Sequence, residues 1–156
     1  MATVTEENAV QTIDIRKEEL IAAPIEVCFQ AVLDELGPEA VMPDGTGTKP
    51  MQMKIEPHVG GRWFRDLGNN TGHLWGHVQV IKPPNLLEIT GPMAMSYPCA
   101  NHMQWRLTAD GKQTRLNFTH RGLGLIPREH REGMKQGWGE WSKRIRERAE
   151  RLSSRK

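Results

Sequence analysis

A chain of 156 residues with 21 basic and 19 acidic side chains, net +2, has no overall field to draw nucleic acid or an anionic membrane to it. Its hydrophobic fraction of 37% is low, yet five Trp and eight Met supply bulky, deformable side chains to fill or line one core. No window approaches the ~20 apolar residues of a membrane span, and Met1-Ala2-Thr3-Val4-Thr5 opens without a basic, apolar leader, so a cytoplasmic domain with reduced Cys28 and Cys99 is expected.

Residues 1–10 are polar and aperiodic and read as a disordered tail, leaving one domain over 11–152 and a basic tail at 153–156. Ile13 and Ile15 alternate with Asp14 and Arg16, which predicts a first strand to about Ile21. Pro24 suits the first turn of a helix whose apolar stripe is Val27, Cys28, Ala31, Val32 and Leu36, ended by Gly37-Pro38. Residues 38–49 read as a loop with room for a short helical turn. Strand-like segments follow at 50–56, 60–67, 73–81, 86–91, 101–109 and 113–121, the spacing of an antiparallel meander.

Turn chemistry sets the register. Asp110-Gly111 as a two-residue loop pairs Trp105 with Leu116 and Met103 with Phe118. The same count at Pro83-Pro84 pairs Val80 with Leu87 and Val78 with Ile89. Each hairpin then has one apolar face, as burial requires. From Pro127 the chain turns helical, with Met134, Trp138, Trp141, Ile145 and Leu152 on one stripe that must lie on the concave sheet face. Glu140 and Arg144, and Glu147 and Arg151, stand at i,i+4 spacing on the other side. Gly133, Gly137 and Gly139 weaken the helix by roughly 1 kcal/mol each against Ala.

Gly60-Gly61-Arg62-Trp63, Trp75-Gly76-His77-Val78 leading to Pro83-Pro84-Asn85-Leu86, Thr114-Arg115-Leu116 to His120-Arg121-Gly122, and Gly137-Trp138 before a basic helix together resemble the SRPBCC, or START-like, superfamily. The resemblance covers about residues 11–152 and points to the branch similar to the C-terminal domain of the heat-shock-protein ATPase activator. It implies an α+β helix-grip fold, in which a curved antiparallel sheet wraps a long C-terminal helix and one or two short helices follow the first strand. It also implies a cavity between sheet and helix. That superfamily includes lipid carriers, polyketide cyclases, stress-related hydrophobic-ligand binders and a co-chaperone, so fold does not choose among functions.

Trp63, Trp105, Phe118, Trp138 and Trp141, with Val78, Met103 and Met134, fall largely on the face between sheet and helix, either as a filled core or as the wall of a pocket for a small apolar molecule. Arg65 shares that face if Trp63 points inward and would then need an anionic partner; in the opposite register Phe64 and Asp66 point in. Gly76 opposite Trp63 would leave room for the indole. His120 is either a satisfied core histidine or a general acid–base group, and Tyr97 either a polar handle at a cavity mouth or a rim residue. His73 and His77, four apart on a strand, stand ~13 Å apart, too far for one metal ion. No cofactor or metal is expected. The function expected is non-catalytic binding of an apolar ligand, with a cyclase- or hydratase-like enzyme and a chaperone-associated interaction domain as alternatives.

Overall fold

The protein is described by a computed structural model covering residues 8–43 and 45–155. Seven strands run β1 Gln11–Ile21, β2 Met53–Ile55, β3 Arg62–Gly68, β4 Thr71–Lys82, β5 Leu86–Gly91, β6 Cys99–Asp110 and β7 Gln113–Gly124, with α1 at Ile25–Leu36 and α2 at Arg128–Ser154. They form one antiparallel sheet in the order β1-β7-β6-β5-β4-β3-β2. Both helices bury their apolar stripes in the same core: Cys28, Ala31, Val32 and Leu36 from α1, Trp138, Ile145 and Ala149 from α2. This is the α+β helix-grip arrangement, with one helix after the first strand among the described residues. The expected N-terminal tail lies outside the described residues as far as residue 7, and α2 runs into the stretch expected as a C-terminal tail.

The β6–β7 hairpin puts the expected apolar residues on one face by a different pairing from the one counted, whereas in the β4–β5 hairpin Val78, Leu87 and Ile89 share the inner face and Val80, opposite Glu88, does not. Between β6 and β7 the loop is Gly111-Lys112, and Trp105 pairs with Phe118 and Met103 with His120. Of the two loop residues only Gly111 takes positive φ, +63°, as in a type II′ turn, so Asp110 stays in the ladder. Each pairing therefore moves by two residues, which leaves the faces unchanged because the side-chain period is two. Between β4 and β5 the loop is three residues long and Ile81, not Val80, opposes Leu87. A bulge at Gln79 then restores Val78 opposite Ile89. Strand β2 is shorter than expected because Gln52, at φ +62°, and the flanking prolines leave the ladder.

Gly76 does stand opposite Trp63, which is fully buried. A Cβ on Gly76 would lie 2.6 Å from the Thr90 carbonyl oxygen and 2.8 Å from Ile89 Cγ2, so β4 and β5 approach here as only glycine allows. Gly76→Ala is expected to destabilise the fold by about 1–3 kcal/mol in urea unfolding. A variant as stable as the parent would show that the two strands can part at this point.

Candidate functional site

A cavity of about 390 Å³ opens between the N-terminal half of α2, the α1–β2 loop, Trp75 of β4 and the β5–β6 loop. That volume lies within the range of small-molecule sites. Its apolar wall is Trp138, Trp141 and Met134 from α2, facing Trp75, Met51, Met93 and Met95. The space is opened by absent side chains. Gly133 and Gly137, one turn apart on α2, both line the cavity, and a Cβ at either would meet nothing within 4 Å.

Two backbone irregularities bring further side chains in. Trp63 pairs with Gly76 but Phe64 pairs with Leu74, so Trp75 is the extra residue of a β-bulge. Strict alternation from Val78 would turn Trp75 outward; the bulge turns it inward, where it is 4% exposed. Met93 is held at φ +58°, unusual for a non-glycine residue, with its N–H donated to the Trp75 carbonyl at 2.8 Å.

Of the residues singled out in the sequence, Met134, Trp138 and Trp141 line the cavity. Trp63, Val78, Met103, Trp105 and Phe118 are buried in the core beneath it and do not line it. The two groups are continuous: Trp63 meets Trp75 edge-on at 5.0 Å, and Phe118 meets Trp138 at 4.3 Å. Arg65 shares the inner face with Met53, but its Nε donates to the Met51 carbonyl at 3.1 Å and the residue is not part of the cavity wall. Trp75, Met93, Met95 and the half-buried Arg144 line it without having been anticipated. The bulge carries no sequence signal, and the Met residues sit in a loop without periodicity.

His120 is fully buried and engaged at both ring nitrogens. Trp138 Nε1 donates to His120 Nδ1 at 2.9 Å, which fixes the proton on Nε2, and that nitrogen donates to Asn101 Oδ1 at 2.7 Å. Asn101 Nδ2 donates onward to the Gly91 carbonyl at 3.1 Å. The relay ties α2 to the end of β5 and keeps the imidazole neutral, with burial lowering its pKa to about 4. At the cavity rim, Tyr97 Oη lies 2.7 Å from His130 Nδ1, joining the β5–β6 loop to the first turn of α2. Among the described residues no three His, Cys, Asp or Glu side chains come together so as to hold a metal ion, and no helix is long and apolar enough to cross a membrane.

A curved antiparallel sheet closed around a long C-terminal helix, with a cavity at their junction, defines a helix-grip domain of the SRPBCC superfamily. Within it, residues 22–150 match the family described as activator of Hsp90 ATPase homolog 1-like protein, and the chain belongs to that family. No curated protein sequence matches it. Among solved structures it is similar to the Mll3558 protein of Rhizobium loti, at TM-score 0.66 and 19% identity over 90% of this chain and 99% of that one. It is also similar to SA2116 of Staphylococcus aureus, a protein of unknown function, at TM-score 0.67 and 13% identity over 93% and 98%. A third is CalU16 of Micromonospora echinospora, at TM-score 0.58 and 17% identity over 94% and 90%. At these identities the likeness is one of fold.

The buried relay has a consequence for stability. The ordinary histidine value is 6.5 and the folded value about 4, so between these the unfolded state binds more protons and stability falls as pH drops. The full loss amounts to about 3 kcal/mol. Urea unfolding at about pH 7 and about pH 4.5 should show this slope in the wild type and a flatter one in His120→Gln. Equal slopes would mean that His120 ionises freely in the folded protein.

Proposed function

We propose that this protein binds a small, flat, largely apolar molecule in the cavity between α2 and the sheet, without transforming it. The observation that carries the reading is the pair Gly133 and Gly137, which open the cavity at the expense of helix stability. Alanine at either position would meet no obstruction and would favour the helix by about 1 kcal/mol. Two residues that weaken the helix where they line a void fit a function in that void better than a packing requirement. Three tryptophans and five methionines around it suit an aromatic or otherwise flat ligand, because indoles offer faces and thioethers adjust to shape.

Support for the non-catalytic reading comes from His120. The group best suited to acid–base chemistry is sealed in the core, committed at both nitrogens and absent from the cavity wall. A cyclase- or hydratase-like reaction would have to rely on the exposed Glu129 and Glu140, on Arg144, or on the rim pair Tyr97 and His130 instead. A chaperone-docking role draws on the family's descriptive name alone, whereas ligand binding draws on residues of this chain. We favour the cytoplasm as the place where it acts.

Native mass spectrometry of the protein purified gently from its source, against the same sample denatured, tests the reading. The expected result is a reproducible mass excess, lost on denaturation and absent from Gly137→Leu, whose side chain would occupy the cavity. Gly137→Ala should meanwhile raise stability by about 1 kcal/mol. A bare mass for the wild type, together with failure of an uncharged naphthylamine dye to enter it, would sink the proposal.

A further inference from the structure

We infer that the ligand carries an anionic group recognised by Arg144, so that the molecules this cavity takes are apolar aromatic acids rather than neutral lipids; the inference rests on the cavity reading above. Three arginines on the C-terminal half of α2 are half-buried: Arg144, Arg146 and Arg148. Arg146 pairs with Glu19 at 3.1 Å and Glu150 at 3.5 Å. Arg148 pairs with Glu35, and with Glu39 at 3.4 Å. Arg144 alone of the three has no carboxylate within ion-pair distance among the described residues.

A partner is at hand and is not used. Glu140 lies one turn before Arg144, at the spacing and in the order that favour a pair on a helix. Glu140 instead accepts from Gln136 Nε2 at 3.5 Å. Arg144 lines the cavity, and its guanidinium lies over the α1–β2 loop, Nη2 2.8 Å from where a Cβ on Gly47 would stand. A half-buried, unpaired guanidinium needs an anion to offset its lost hydration.

Trp75, which also lines the cavity, carries a buried Nε1 donor without an acceptor among the described residues. The lining carboxylates, Glu129 and Glu140, are both exposed, where water and salt screen them from a ligand held deeper. His130 is occupied by Tyr97. Beside these donors, Trp138 and Trp141 stack at 5.1 Å and 18° and offer an aromatic wall. Donors within and apolar faces around them describe a flat acid.

Two fluorescent probes with one ring system separate charge from shape: anilinonaphthalene sulfonate and the uncharged phenylnaphthylamine. The wild type should bind the sulfonate at one site, at least about tenfold more tightly than the neutral dye. Arg144→Gln should weaken the sulfonate by about tenfold or more and leave the neutral dye within about twofold. Arg144→Lys, which keeps the charge and loses the planar fork, should fall between them and serves if Arg144→Gln fails to fold. Gly137→Leu should exclude both dyes and so place them in the cavity. Both dyes entering with equal affinity, unchanged by either Arg144 substitution, would overturn the acid inference while leaving the cavity reading intact. Neither dye entering the wild type would overturn both.

Discussion

The carbonyl end of α1 is where the sheet, the short helix and the long helix are joined, and the joint is made by two indoles. A helix leaves its last four carbonyls without internal partners. In α1 those of Leu33 and Asp34 accept from Gly37 N at 2.9 Å and Glu39 N at 3.0 Å. The next two accept from tryptophans: Glu35 from Trp141 Nε1 at 2.7 Å, and Leu36 from Trp63 Nε1 at 2.8 Å. Trp141 belongs to α2 and Trp63 to β3, so one helix terminus fixes the other helix and the sheet at hydrogen-bond distance. The last turn of α1 holds no basic residue, and Arg148 of α2 supplies the positive charge by pairing with the buried Glu35. Removing Arg148 would leave a buried carboxylate unpaired, which costs several kcal/mol.

The cavity follows from that joint. Because Trp141 is held at its nitrogen, its ring is fixed as one wall, and Trp138 stacks on it while donating to His120. The C-terminal half of α2 is thereby bound to α1 and β1 through Arg146, Arg148 and Glu150, whose carboxylate accepts from Ala22 N at 3.0 Å. The first turns of α2 carry the Tyr97–His130 contact and glycine at 133 and 137, where a Cβ would meet nothing within 4 Å. One helix thus has two jobs, closing the core at one end and standing off from the sheet at the other.

Periodicity carried most of the fold, because alternation and the helical stripe are consequences of burial and burial is what organises this molecule. The faces of Trp105, Phe118 and Met103 were legible although their partners were miscounted, since an error of two residues preserves the face, whereas the bulge at Gln79 put Val80 opposite Glu88 and off the expected face. The site was legible where it shares the stripe of α2, at Met134, Trp138 and Trp141, and at Tyr97 on the rim. Trp75 escaped because a bulge breaks the alternation that would have assigned it, and Met93 and Met95 because a loop has no period to read. Arg65 was the natural candidate for an acid anchor by face alone; what decides its role is a backbone carbonyl of residue 51, which no spacing rule brings to it.

Charge placement on α2 shows the same division of labour. Arg146 and Arg148 reach across to glutamates on β1, α1 and the turn after α1, contacts distant in sequence that only the fold creates. Arg146 adds Glu19 to its local partner Glu150, Arg148 pairs with the distant Glu35 and Glu39, and the helix gains attachment. Among the described residues Arg144 forgoes its local partner without gaining a distant one, and it does so at the turn where the helix stops being core and becomes cavity wall. A protein that pairs its half-buried arginines elsewhere on this helix leaves one unpaired where a ligand can supply the counter-charge. Its anchored half would hold that guanidinium in place before the ligand arrives, so that little ordering remains to be done on binding.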